Sequence, residues 1–237
     1  MTTSPFLGEL IGTAVLILLG NGVVANVLLN KTKGNNGGLI AITTAWAFAV
    51  TIGIFVAQKF GSADAHLNPA VTIAMAIKNN DFSNVLPFIA AQMIGAIIGA
   101  TLVWLHYLPH WAATNDQGLK LAAFGTSPAI ANAPANLISE IIGTMVLLIG
   151  VIALYAETGS GLSPYLVGVL VWAIGLSLGG TTGYAINPAR DLGPRIAHAI
   201  LPIAGKGGSD WGYAWVPVLG PVIAAVIAGA IMSGFGF

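Results

Sequence analysis

The sequence predicts an all-α membrane protein of six transmembrane helices plus two re-entrant half-helices, arranged as an inverted repeat. Three observations predict it. Of the 237 residues, 56% are hydrophobic and 7% are charged. A soluble domain carries roughly 25% charged residues, so this chain cannot cover a water-facing surface. Six stretches approach the ~20 apolar residues that a bilayer crossing needs. Finally, Asn-Pro-Ala occurs once in each half, each time downstream of a Glu-x-Ile-Gly-Thr string.

The expected spans, in order, are Pro5 to Leu29, Leu39 to Ala57, Val85 to Leu105, Leu137 to Ala156, Leu162 to Leu178 and Trp211 to Phe237. Glu9 and Glu140 are the only charges within them. Pro69 to Ile77 and Pro188 to Ile200 are apolar but too short to cross, which reads as re-entrant. Each follows a polar loop, Gly61 to Asn68 or Gly179 to Asn187. The longest polar connection, Pro109 to Asn136, divides the chain. Glu9-Leu-Ile-Gly-Thr13 matches Glu140-Ile-Ile-Gly-Thr144, and Asn68-Pro-Ala70 matches Asn187-Pro-Ala189. Three full spans per half start the second half on the opposite face. The chain therefore reads as one domain, 1–237, built of inverted repeats 5–107 and 136–237. Such repeats place their site near the midplane, between broken helices. Gly95 and Gly99 form a small-xxx-small face for helix packing.

Eight basic and eight acidic residues balance, with no basic stripe for nucleic acid. There is no cysteine. His106, His110 and His198 lack metal-ligand spacing, and no phosphate loop, His-Glu-x-x-His or nucleophile elbow occurs. The chain is thus expected to be neither an enzyme nor a cofactor binder. Lysines fall on both sides of the spans, so the positive-inside rule leaves the orientation open.

Asn is a favoured N-cap and Pro a favoured first helical residue, so Asn-Pro-Ala is a helix start. Two such starts entering from opposite faces would bring two positive helix ends together in the membrane. Cations meet a repulsive field there, whereas a neutral hydroxyl-bearing molecule can accept hydrogen bonds from the Asn68 and Asn187 amides. Arg190, following the second Asn-Pro-Ala, is a guanidinium at membrane depth. That makes it a functional candidate, the alternative being a structural ion pair with Asp191. Glu9 and Glu140 are either proton-coupling carboxylates or acceptors for orphan N–H groups of the loops. His66 reads as a further loop brace.

The strings His66-Leu-Asn-Pro-Ala-Val-Thr72 and Gly183-Tyr-Ala-Ile-Asn-Pro-Ala-Arg-Asp-Leu-Gly-Pro194 resemble the aquaporins, and within them the glycerol facilitators. The resemblance runs from Glu9 to the last span. It implies a homotetramer in the cell membrane, and a positive barrier to cations at the helix tips, which is a known property of aquaporin-type pores. It also implies a passive channel for glycerol and other small uncharged solutes, with some water permeability. The narrowest constriction maps onto Trp46, Gly175, Tyr184 and Arg190. Gly175, where water channels have His, implies room for a three-carbon solute. Asp191, Arg195 and Pro217-Val218 agree with the glycerol class. Tyr184 departs from the usual Phe, and its added polarity is expected to favour undissociated small hydroxy acids. Asp64 also departs, and reads as a solvated loop charge, the alternative being a loose pair with Lys59 that shapes the mouth or a gate. The competing functions are a proton-coupled or neutral-acid transporter and a non-conducting scaffold.

Overall fold

The computed structural model describes residues 3–157 and 161–236, with the side chains of 155–157 left aside. Among these residues it contains ten helices and no strand. The elements are α1 (Pro5–Leu28), α2 (Gly38–Lys59), α3 (Pro69–Asn79), α4 (Val85–His106), α5 (Leu108–Ala113), α6 (Gln117–Ala122), α7 (Ala133–Glu157), α8 (Ser163–Leu178), α9 (Pro188–Ile200) and α10 (Val216–Phe235).

Helices α1, α2, α4, α7 and α10 are long and apolar enough to cross a membrane. The apolar α8, with 16 residues, is a sixth span of about 24 Å at 1.5 Å per residue. The expected elements all form, with local differences. The last span begins at Val216 rather than Trp211. Tyr213 N–H donates to the Asp210 carbonyl in a tight turn, and Pro217 then sits in the first helical turn, where its missing N–H costs nothing. Phe237 lies outside the described residues.

The connection from Pro109 to Asn136 is less polar than its composition suggests. It contains α5 and α6 and folds inward, burying Trp111, Leu121 and Phe124. The Trp111 and Phe124 rings lie 5.5 Å apart. Trp111 Nε1 donates to the Trp104 carbonyl at 2.9 Å, satisfying the one polar atom this burial strands.

Helix α1 packs on α2 and α4. The Gly95 and Gly99 face lies against the α1 backbone, at the carbonyls of Leu10 and Ala14. A Cβ on Gly99 would stand 2.5 Å from the Ala14 oxygen, so this approach requires glycine. The two short helices α3 and α9 sit inside the bundle, packed on α10 and α4 respectively, with their N-termini converging.

Candidate functional site

Each half-helix starts as its tripeptide dictates. Asn68 and Asn187 adopt extended N-cap backbone, followed by Pro in the first turn. Asn68 Oδ1 accepts from Ala70 N–H at 2.9 Å. Asn187 Oδ1 accepts from Ala189 and Arg190 N–H at 3.0 and 3.2 Å. The amide ends cross between the two halves of the chain. Asn68 Nδ2 donates to the Ile186 carbonyl at 2.8 Å, and Asn187 Nδ2 donates to the Leu67 carbonyl at 2.9 Å. An amide nitrogen carries two hydrogens. One on each Asn is committed to the facing loop, which leaves one per residue for the cavity that both side chains line.

The loops before the caps are held by the two buried glutamates. Glu9 accepts four hydrogen bonds: from Ser62 Oγ, His66 N–H, Leu67 N–H and Gln92 Nε2, at 2.7 to 2.8 Å. Glu140 accepts from Thr182 Oγ1 and from Ala185 and Ile186 N–H, at 2.7 to 3.0 Å. These bonds hold an unusual backbone. Ala65 and Leu67 in one loop, and Tyr184 and Ile186 in the other, have φ between +40° and +51°. Left-handed backbone costs a non-glycine residue roughly 1–2 kcal/mol, and charge-assisted bonds to the glutamates offset it. In a trans peptide the N–H and C=O point opposite ways. With the N–H groups turned to the glutamates, the carbonyls of Ala65, His66, Tyr184 and Ala185 turn the other way. The result is a file of acceptors along the cavity that these residues line.

His66 braces its loop and lines the cavity as well. Its Nδ1 meets Thr72 Oγ1 at 3.2 Å, and its ring stands edge-on to Phe88. Asp64 is exposed at one end of the cavity, near Lys78. The alternative pairing of Asp64 with Lys59 does not form, since the only ion pair among the described residues is Asp191 with Arg195.

That ion pair also answers the alternative raised for Arg190, a structural pair with Asp191, which does not form. Asp191 turns away from it: its carboxylate accepts from Arg195 at 2.7 and 3.0 Å and from Thr126 N–H and Oγ1 at 2.6 and 2.7 Å. Arg190 has no carboxylate partner among the described residues. It donates through Nη1 to the Phe124 carbonyl at 3.1 Å, and its Cζ lies 4.3 Å from the centre of the Trp46 ring. Stacking on a desolvated indole favours the cation. The remaining guanidinium N–H groups stay beside the cavity, where donors in a fixed fork can serve a row of hydroxyls.

Trp46, Tyr184 and Arg190 therefore meet at one cavity of about 410 Å³. Its walls carry apolar side chains from several spans, among them Leu16, Val50, Leu147 and Val171. Gly175 does not line it. A Cβ there would lie 2.8 Å from Tyr184 Cζ, so the notch that glycine opens is filled by the tyrosine ring. The Tyr184 hydroxyl is buried against Gly175 and has no hydrogen-bond partner among the described residues. The polarity expected of Tyr184 thus points away from the lumen, which receives the ring.

Three supports were not singled out from the sequence. Gly20 on α1 leaves the space that the Trp46 indole occupies. The Phe124 carbonyl receives Arg190, and Thr126 ties the same loop to Asp191. The string Gly20-Asn21 in an apolar span was the one available signal, because Asn is rare in a lipid-facing helix.

Comparison with known proteins agrees with this geometry. The profile of the major intrinsic protein family matches residues 2–232. Glycerol uptake facilitator protein 3 of Lactiplantibacillus plantarum is 56% identical over 229 residues, covering 96% of this chain and 95% of that one. A probable glycerol uptake facilitator protein of Thermotoga maritima is 55% identical over 232 residues, covering 97% and 98%. The X-ray structure of the aquaglyceroporin from Plasmodium falciparum matches with a TM-score of 0.85 at 31% identity, over 96% of this chain and 94% of that one. A full-length family match, near-full-length relatives and a shared fold agree with the resemblance read from the two Asn-Pro-Ala strings: this multi-pass membrane chain belongs to the major intrinsic protein family.

Proposed function

We propose that the chain is a passive channel for glycerol and other small uncharged polar solutes, with some water permeability. The observation that carries this reading is a single cavity lined by both Asn caps, by Arg190 and by the Trp46 and Tyr184 rings. One side offers apolar surface to a carbon chain. The other offers donors from Arg190, Asn68 and Asn187 and acceptors from the loop carbonyls. A polyol, with carbons on one edge and hydroxyls on the other, satisfies both sides at once. Trp46, Tyr184 and Arg190 act as the selectivity filter, with Gly175 acting through the tyrosine it seats. The halves 5–107 and 136–237 act as inverted repeats around the paired Asn-Pro-Ala caps, and the working unit in the cell membrane is a homotetramer.

Proteoliposomes shrunk in a glycerol gradient should reswell with no ion gradient present, and absence of reswelling would overturn the channel reading. Glu9 speaks against proton coupling, because its carboxylate already accepts four hydrogen bonds. Glycerol flux should accordingly be unchanged when a protonophore collapses the proton gradient. The same liposomes, offered a small hydroxy acid at several pH values, test the neutral-acid alternative. Flux through this filter should follow the undissociated acid and vanish for the anion.

A further inference from the structure

Arg190 can select solutes only if its guanidinium is held in one orientation, and the group that holds it is a loop carbonyl. Phe124 lies after α6, and no backbone N–H pairs with its oxygen. A carbonyl oxygen has two lone pairs. Arg190 Nη1 takes one at 3.1 Å. The other is taken by Asn21 Nδ2, also at 3.1 Å. Asn21 Oδ1 in turn stands 3.5 Å from Arg190 Nη1, closing a triangle of amide, carbonyl and guanidinium. Asn21 is 1% exposed and does not line the cavity. It follows Gly20, which seats Trp46, so consecutive residues of α1 support both partners of the Arg190–Trp46 stack.

We propose that Asn21 is a positioning residue for selectivity. It orients the Phe124 carbonyl and thereby fixes the Arg190 guanidinium over Trp46, so the ratio of glycerol to water permeability depends on a side chain that no solute touches. The proposal rests on the channel reading above. An apolar residue at position 21 leaves the carbonyl with one donor and free to tilt. Arg190 then loses its fixed fork, and a three-carbon solute that must present several hydroxyls at once loses more than a single water molecule does.

The test measures glycerol and water permeability in proteoliposomes of equal protein content for the native chain, Asn21→Leu, Arg190→Ala and the double variant. The Asn21→Leu substitution should lower the glycerol-to-water ratio by about threefold or more, on the order of the loss of one neutral hydrogen bond. In the Arg190→Ala background it should change the ratio no further, because contacting residues are non-additive where independent defects add. Asn21→Ser, which is too short to reach the carbonyl, should reproduce the shift and serves if the leucine variant folds poorly. An unchanged ratio in a glycerol-conducting channel overturns the proposal and leaves the channel reading standing. So does a shift of equal size with and without Arg190. A native chain that passes no glycerol overturns both.

Discussion

Gly20 and Tyr184 bear on the width of the lumen in opposite ways. At Gly20, any side chain would overlap the Trp46 indole. Because the ring is buried on its other sides, it could yield only toward the cavity it lines. Gly20→Val should therefore reduce glycerol permeability at least tenfold and reduce water permeability less, as read by light scattering from reconstituted vesicles. Tyr184 makes the opposite case. Its hydroxyl is buried without a partner among the described residues, and a buried hydroxyl with no protein partner costs about 1–3 kcal/mol. Tyr184→Phe should raise the unfolding midpoint in detergent and leave the glycerol-to-water ratio within about twofold of the native value. A large change in that ratio would show that the hydroxyl reaches the solute after all.

At the scale of elements, the half-helix α9 is tied to the loop that carries Phe124. Arg195 bridges them: it binds Asp191 within α9 and donates to the carbonyls of Thr126, Ser209 and Asp210. Asp191 reaches the same loop through Thr126. Both partners of the pair are fully buried, and removing one charge from such a pair leaves the other unpaired at a cost of about 3–5 kcal/mol. Asp191→Asn should lower the unfolding midpoint markedly, and in the folded fraction it should loosen Arg190 through the shared loop. The far end of α9 is closed by Lys206, whose Nζ donates to the carbonyls of His198, Ala199 and Leu201 at 2.6 to 2.7 Å. A cation on the last carbonyls of a helix complements its dipole. Fixed at both ends, α9 presents a rigid positive N-terminus to the lumen.

Across the whole molecule, selection against cations falls, on the channel reading, to the sign of that field. Two half-helix N-termini and the Arg190 guanidinium share one cavity, the buried acids Glu9, Glu140 and Asp191 are turned to loop donors or to Arg195, and the one carboxylate on the lining, Asp64, is exposed. Vesicles holding the native chain should show no proton or alkali-cation leak above background. Arg190→Ala should admit a measurable proton leak, detected with an internal pH dye, while the helix N-termini still hold back larger cations. An equal leak in both chains would contradict this assignment of the barrier.

Much of this was legible in the sequence because the determinants are local or repeated. The length of an apolar run, an Asn N-cap followed by Pro, and a motif recurring in both halves are properties of short segments. They sufficed to place six spans, two half-helices and the paired caps, and to single out Arg190. Tertiary structure alone decided which charge Asp191 takes, where the Tyr184 hydroxyl points, and that Gly175 lies behind the tyrosine rather than on the lumen. It also brought Asn21 and the Phe124 carbonyl to Arg190, across separations of 169 and 66 residues. The physical reason is that a hydrogen bond or ring contact between distant segments leaves no periodic or compositional trace. A backbone carbonyl such as that of Phe124 looks the same in every residue until folding gives it a direction.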